Sequence, residues 1–293
     1  MKTIRCAGVP EHYNYPWQMA LKSGDFEKAG LNVIWNDEPA GTGAMARDLR
    51  DDNVDLAIML TEGALTDIVR GNPSKIVSTY VQSPLNWGVH TSAKAQIQTA
   101  DDIEGKTFAI SRMNSGSHLM AFLYGRNKGI QISSTDFNMV NNLDGARHAL
   151  KAEPNQLFLW EKYTTKPLVD SGEFKLIDHC LTPWPSFMVV VRETYLKQNP
   201  EVVDEVLSIV SKYAQQLQQE ASTPEAISKY YHIDKNDAAD WFKSLSWKLD
   251  YQIEEKMLVE VSFILSELGI LVRPLSATEI KQRILASPLV ESV

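Results

Sequence analysis

"AISRMNSGSHLMAFLYGRNKG", residues 109–129, joins a short apolar run to an amphipathic stretch through the polar loop 111–117. The pattern is strand, small polar loop, helix. A helix that opens on small residues leaves backbone N–H groups facing outward, and these suit an anion. The stretch is one copy of a unit that recurs along the chain. "TIRCAGV" (3–9) reads as a strand, "PEHYNYP" as a loop, and residues from about Trp17 to Ala29 as a helix closed by Gly30. "LNVIW" with "NDEPAGTG" and "AMARDLRD" repeats it, as does "VDLAIML" with "TEGALTDIVRG" up to Gly71. Strands separated by helices imply crossover connections and a mainly parallel sheet.

The pattern breaks at "IVSTYVQSPLNWGVHTS", a long extended segment interrupted by Pro84. It then restarts with the opening stretch, followed by "FNMVNN" with "LDGARHALK" and by "QLFLW" with "EKYTTKPLVDSG". A second extended run, "FKLIDHCLTPWPSFMVVVRE", follows, and from Pro200 the chain reads as helical. There Val202, Val203, Val206, Leu207, Val210, Tyr213 and Leu217 share one face. Trp241 and Trp247 read as core or core-edge residues of this tail.

A chain of 293 residues is long for one core. The expectation is a two-lobed α/β protein, each lobe a mainly parallel sheet flanked by helices. Lobe one is 1–85 plus 187–293, lobe two is 86–186, and the crossings lie near 83–89 and 180–188. Ligands of open α/β sheets sit off the carboxyl ends of strands, which selects the polar loops and a cleft between the lobes.

The formal net charge of −8 argues against a nucleic-acid partner. No window approaches the ~20 apolar residues of a membrane span. Cys6 and Cys180 cannot form a disulfide framework and read as buried thiols. The start "MKTIRCAGVPEHY" enters a strand with no apolar signal region of ~7–15 residues, so a cytoplasmic location is expected, or a periplasmic one if a leader has been removed. The six histidines (His12, His90, His118, His148, His179, His232) lack metal-site spacing, and no GxSxG element occurs. No metal, cofactor or catalytic residue is assigned.

Taken in order, "GVPEH" with Pro16, "GTGAM", "VDLAIMLTEGA", "SRMNSGSHLMA", and "LWEKYTTKP" followed by "TPWP" carry a resemblance across nearly the whole chain. The chain resembles the substrate-binding proteins of nitrate, sulfonate, taurine and thiamine-precursor transporters, which have the type II periplasmic binding-protein fold. It is particularly similar to a leaderless branch of that family found in bacteria and fungi. The resemblance implies a solute-binding or sensing protein that closes around a small molecule, with a transporter or signalling protein as a further partner. The fungal thiamine-pyrimidine synthases look related in fold, but they carry a cysteine-rich motif that two isolated cysteines cannot supply. The motif of the menaquinone-pathway enzymes on this fold has no match at the N-terminus.

The candidate ligand contacts follow from the loops and that placement. Glu11, His12 and Tyr13 gather where a plain turn before Pro16 needs none of them. Thr42 starts a helix, although "AGTGA" lacks the Lys-Ser/Thr ending of a P-loop. Glu62 suits a helix first turn as well as a ligand. Ser115, Gly116, Ser117 and His118 combine an N-cap with potential anion donors, and Asn142 ends another strand. Trp160 beside Glu161 suits a flat, amine-bearing ring, and Trp184 lies between two prolines in the second crossing. Acids near the loops favour a zwitterion or an aminopyrimidine-like heterocycle over a bare oxyanion. The alternative is a cytoplasmic enzyme on the same fold, with His12 or His118 as general base.

Overall fold

The computed structural model describes residues 1–113 and 115–286. Strand β1 (Lys2–Gly8) buries Ile4 and Cys6 on one face, as period-two alternation requires. A 3₁₀ turn at His12–Asn14 leads into α1 (Tyr15–Ser23), where Pro16 occupies the first turn and its missing N–H costs nothing. The single helix read as far as Ala29 is in fact two. Gly24 adopts φ +73°, in the left-handed region that ends a helix, and α2 (Asp25–Lys28) follows it. Strand β2 (Leu31–Asp37), α3 (Thr42–Arg50), β3 (Leu56–Leu60) and α4 (Thr61–Val69) then repeat the unit. β1 pairs in parallel with both β2 and β3, as strands joined by helices must.

β4 (Ser74–Ser92) is one 19-residue strand that passes through Pro84. Beyond it come β5 (Phe108–Ile110), α5 (Gly116–Asn127), β6 (Phe137–Met139), α6 (Leu143–Ala152), β7 (Leu157–Glu161) and α7 (Lys162–Asp170). β8 (Phe174–Arg192) is a second 19-residue strand, continuous through Pro183 and Pro185. The chain divides into two compact units, Met1–Ser83 with Trp184–Val293, and Pro84–Pro183. In the second unit β5 pairs in parallel with β6 and β7. Each unit also holds antiparallel pairing, β3 with β8 in the first and β4 with β7 in the second. Helical alternation hides these, because a strand continuing from one unit into the other arrives without a helix before it.

The remainder of the first unit is helical: α8 (Glu193–Gln198), α9 (Pro200–Gln219), α10 (Thr223–Tyr231), α11 (Lys235–Ser244), α12 (Glu255–Glu267) and the short α13 (Ala277–Glu279). α9 packs on α1 and buries Val202, Val203, Val206, Leu207, Val210 and Leu217. Tyr213, read on the same face, is only partly covered. Its hydroxyl donates to Asp25 at 2.9 Å. Among the described residues no helix is long and apolar enough to cross a membrane.

Candidate functional site

In the first unit the loop after β1 sets an imidazole among aromatic rings. Glu11 is extended at φ −124° and leads into the His12–Asn14 turn. His12 is 2% exposed; its ring meets Trp241 edge-on at 4.3 Å and lies 4.8 Å from Tyr13. Tyr13 packs against Phe187 and Trp241, and its carbonyl accepts from the Tyr80 hydroxyl at 2.8 Å and from Trp247 Nε1 at 2.9 Å. Burial lowers the His12 pKa to about 3, so the ring is neutral near pH 7. Its Nε2 is buried with no hydrogen-bond partner among the described residues. Asn14 donates to the Val9 carbonyl at 2.8 Å, and its Oδ1 is likewise unpartnered. Gly8 permits this packing, since a Cβ there would lie 2.6 Å from Asn14 Nδ2 and from the Trp35 ring.

Glu62 sits in the first turn of α4, where the helix dipole favours an acid. Its Oε2 accepts from Trp184 Nε1 at 2.9 Å, while its Oε1 is buried without a partner. Burial pushes this carboxyl up to about 7, opposed by hydrogen bonds from its own backbone N–H and from Trp184. Thr42, a candidate ligand contact, also braces this helix start. Its hydroxyl accepts from the Leu60 N–H at 3.1 Å, and a Cβ at Gly63 would lie 2.5 Å from its methyl carbon.

In the second unit Ser115 caps α5, accepting from the His118 N–H at 3.3 Å. The Ser117 oxygen accepts from the Ser111 N–H at 2.9 Å and lies 3.3 and 3.1 Å from the Ser111 and Ser115 hydroxyls. These hydroxyls first hold one another and close the loop, with Gly116 as the first residue of the helix. His118 is packed edge-on against Phe122 and Phe137 at 5.0 and 4.6 Å, and burial lowers its pKa. Asn142 is exposed and caps α6 by accepting from the Gly145 N–H at 2.9 Å. Its side-chain oxygen is committed to the helix.

Glu161 ends β7 and caps α7, its Oε2 accepting from the Thr164 N–H at 2.7 Å and hydroxyl at 2.9 Å. Its Oε1 is buried and unpartnered, and burial pushes the carboxyl up to about 7. Trp160 does not stand beside that carboxyl, because consecutive strand residues face opposite ways. It stacks on Phe158 at 5.3 Å against the core of Ala109, Val140, Ala146, Leu150 and Phe174. Trp87, directly opposite Glu161 in the β4–β7 ladder, shares the face of Glu161 instead. Its Nε1 is a buried donor without a partner, so an orphaned donor and an orphaned acceptor occupy one face.

Sequence reasoning missed Asn14, Trp87, Phe187 and the roles of Trp241 and Trp247. Asn14 passes for a turn residue. Trp87 is visible only once strand pairing is known, and nothing in one sequence ties residue 241 to residue 12. Among the described residues no group of three or more His, Cys, Asp or Glu side chains is placed to hold a metal ion.

The order of strands and helices in the two α/β units is that of the type II periplasmic-binding-protein fold, as the sequence resemblance implies. Residues 87–180 match the family model described as Ca3427-like PBP, for periplasmic binding protein. The conserved CA3427 gene product of Candida albicans, described as defining a new family with the generic periplasmic binding protein fold, is 25% identical, with a TM-score of 0.89 over 100% of this chain and 99% of that one. The periplasmic aliphatic sulphonate binding protein SsuA of Escherichia coli is 15% identical, with a TM-score of 0.73 over 97% of each chain. The periplasmic nitrate-binding protein NrtA of Synechocystis PCC 6803 is 14% identical, with a TM-score of 0.73 over 99% of this chain and 87% of that one. No curated protein matches the chain in sequence. A fold of this kind supports small-molecule binding in general.

Proposed function

We propose that the protein binds a small nitrogen-bearing polar molecule, a zwitterion or an aminopyrimidine-like heterocycle, and closes on it as a solute-binding or sensing protein. The observation that carries this reading is that each unit holds a buried carboxyl, Glu62 or Glu161, with one oxygen left without a partner. A buried acceptor of that kind costs free energy until a donor meets it, and an amine or protonated ring nitrogen is the fitting donor. The aromatic group of Tyr13, Trp241 and Phe187 around His12 suits a planar moiety. Its neutral Nε2 offers one further polar contact.

SsuA and NrtA are named for sulphonate and nitrate. Ionised Glu62 and Glu161 would repel such anions, so the proposed ligand is of a different class. A transporter or a signalling protein is the further partner in this reading. In an enzymatic alternative, His12 is too weak a base near neutrality. His118, or Glu62 and Glu161 with pKa near 7, would have to serve instead. A thermal-shift comparison of aminopyrimidines and amino acids with nitrate, sulfate and alkylsulfonates tests the ligand class. The expected result is stabilisation by nitrogen-bearing compounds, weakened by Glu161→Gln. Stabilisation by the simple anions alone, improved by Glu161→Gln, would overturn it.

A further inference from the structure

A cavity of about 410 Å³ lies wholly within the second unit and uses none of the residues assigned above to the ligand. That volume falls in the range of small-molecule sites. Its walls come from α6 (Arg147, His148, Lys151), from the end of β4 and the turn after it (Ser92, Lys94), and from Glu173 ahead of β8. Leu150 and Phe174 supply the apolar lining.

Four basic side chains meet here with one acid in the wall. Arg147 and Glu173 cancel, through a two-bond pair at 2.7 and 2.9 Å. Asp144, mostly exposed, reaches a further nitrogen of Arg147 at 3.4 Å, and its carbonyl lies 2.7 Å from His148 Nδ1. Among the described residues the Lys94 and Lys151 ammonium groups form no hydrogen bond or ion pair. The hydrogen-bonded Arg147, with Lys151 acting through space, holds the Glu173 carboxyl below its ordinary range against the opposing effect of desolvation, so both cations bear on this wall. Lys151 lies in the last turn of α6, where the helix dipole favours a cation. No such reason applies to Lys94.

The Lys94 turn is also held in place. The Ala93 N–H donates to the Glu173 carbonyl at 3.1 Å and the Ala95 N–H to the Ser92 carbonyl at 2.9 Å. Lys175 Nζ donates to the Ile97 carbonyl at 3.1 Å and to Gln98 Oε1 at 3.0 Å. The frame is therefore built before any ligand arrives, which lowers the entropic cost of binding.

We propose that this cavity is a second site, which binds a small organic dianion, a phosphomonoester or a dicarboxylate with a short apolar part. Lys94 and Lys151 supply the unneutralised charge. Arg147, fixed by Glu173, forms a wall, and Leu150 and Phe174 receive the apolar part. The site stands apart from the nitrogen-bearing ligand proposed above and does not depend on that reading.

Titration calorimetry of the full chain with phenyl phosphate, succinate and inorganic phosphate tests the proposal, with Lys94→Gln/Lys151→Gln as the variant. Both lysines are exposed, so the unliganded melting temperature of the variant should match the parent. Phenyl phosphate or succinate should bind more tightly than inorganic phosphate, with affinity falling as salt is raised. The comparison of those two identifies the head group. The double substitution should weaken binding about tenfold or more. Unchanged binding in the variant, inorganic phosphate binding as well as phenyl phosphate, or no binding by either organic anion at millimolar concentration would overturn it.

Discussion

Glu161 shows what a buried side chain costs and what it offers. Its Oε2 is fully used in capping α7, so the unpartnered Oε1 is available without dismantling the helix start. With the carboxyl pushed up to about 7, the folded protein keeps a proton that the unfolded chain, near the ordinary 4.5, has released. This contribution to stability is full below pH 4.5 and is lost as pH rises through 7, by about 3 kcal/mol at most for each such group. Glu62 behaves in the same way. Urea denaturation at pH 5 and pH 8 should show Glu161→Gln losing less stability on alkalinisation than the parent. Equal slopes would mean that the carboxyl ionises normally. Ligand binding should run the other way, because an amine needs the carboxylate. Affinity for it is expected to rise from pH 5.5 to 8, and calorimetry showing a flat or falling profile would contradict that.

At the level of elements, two small residues hold the second unit's loops. A Cβ on Gly145 would lie 1.7 Å from the Val140 carbonyl oxygen, and a backbone atom cannot step aside. Gly145→Ala is expected to cost about 2–3 kcal/mol in chemical denaturation. Ser117→Ala removes the acceptor of the buried Ser111 N–H and should cost about 1–3 kcal/mol even without ligand. An unaffected denaturation midpoint would show that water replaces the hydroxyl. The strand–loop–helix units were legible because apolar periodicity and terminal glycines are local. The helix break at Gly24 was not, since a glycine within a helical pattern signals either tolerance or termination. Trp160 was misplaced beside Glu161 for a related reason. Facing direction depends on register, and the partner strand that puts Trp87 there lies some seventy residues earlier. The caps formed by Ser115 and Asn142 read equally well as ligand donors, because capping and anion binding use the same N–H groups.

For the whole molecule, the order and spacing of the loop motifs from "GVPEH" to "TPWP" carry the resemblance, and the fold agrees with it along the chain. Ligand identity was less legible, since it rests on which buried atoms lack partners, a property of packing rather than of pattern. If the protein closes on its ligand, as proposed, saturation with a stabilising compound should reduce the radius of gyration in small-angle scattering. An unchanged value would leave binding without closure. The central claim is that the orphaned carboxyl oxygens await a nitrogen-bearing ligand. Mass spectrometry of small molecules released from the purified protein addresses it most directly. The account predicts recovery of an unchanged amine or aminated heterocycle, retained by the parent and depleted in Glu161→Gln. Recovery of a bare oxyanion or alkylsulfonate, held as well or better by Glu161→Gln, would contradict it.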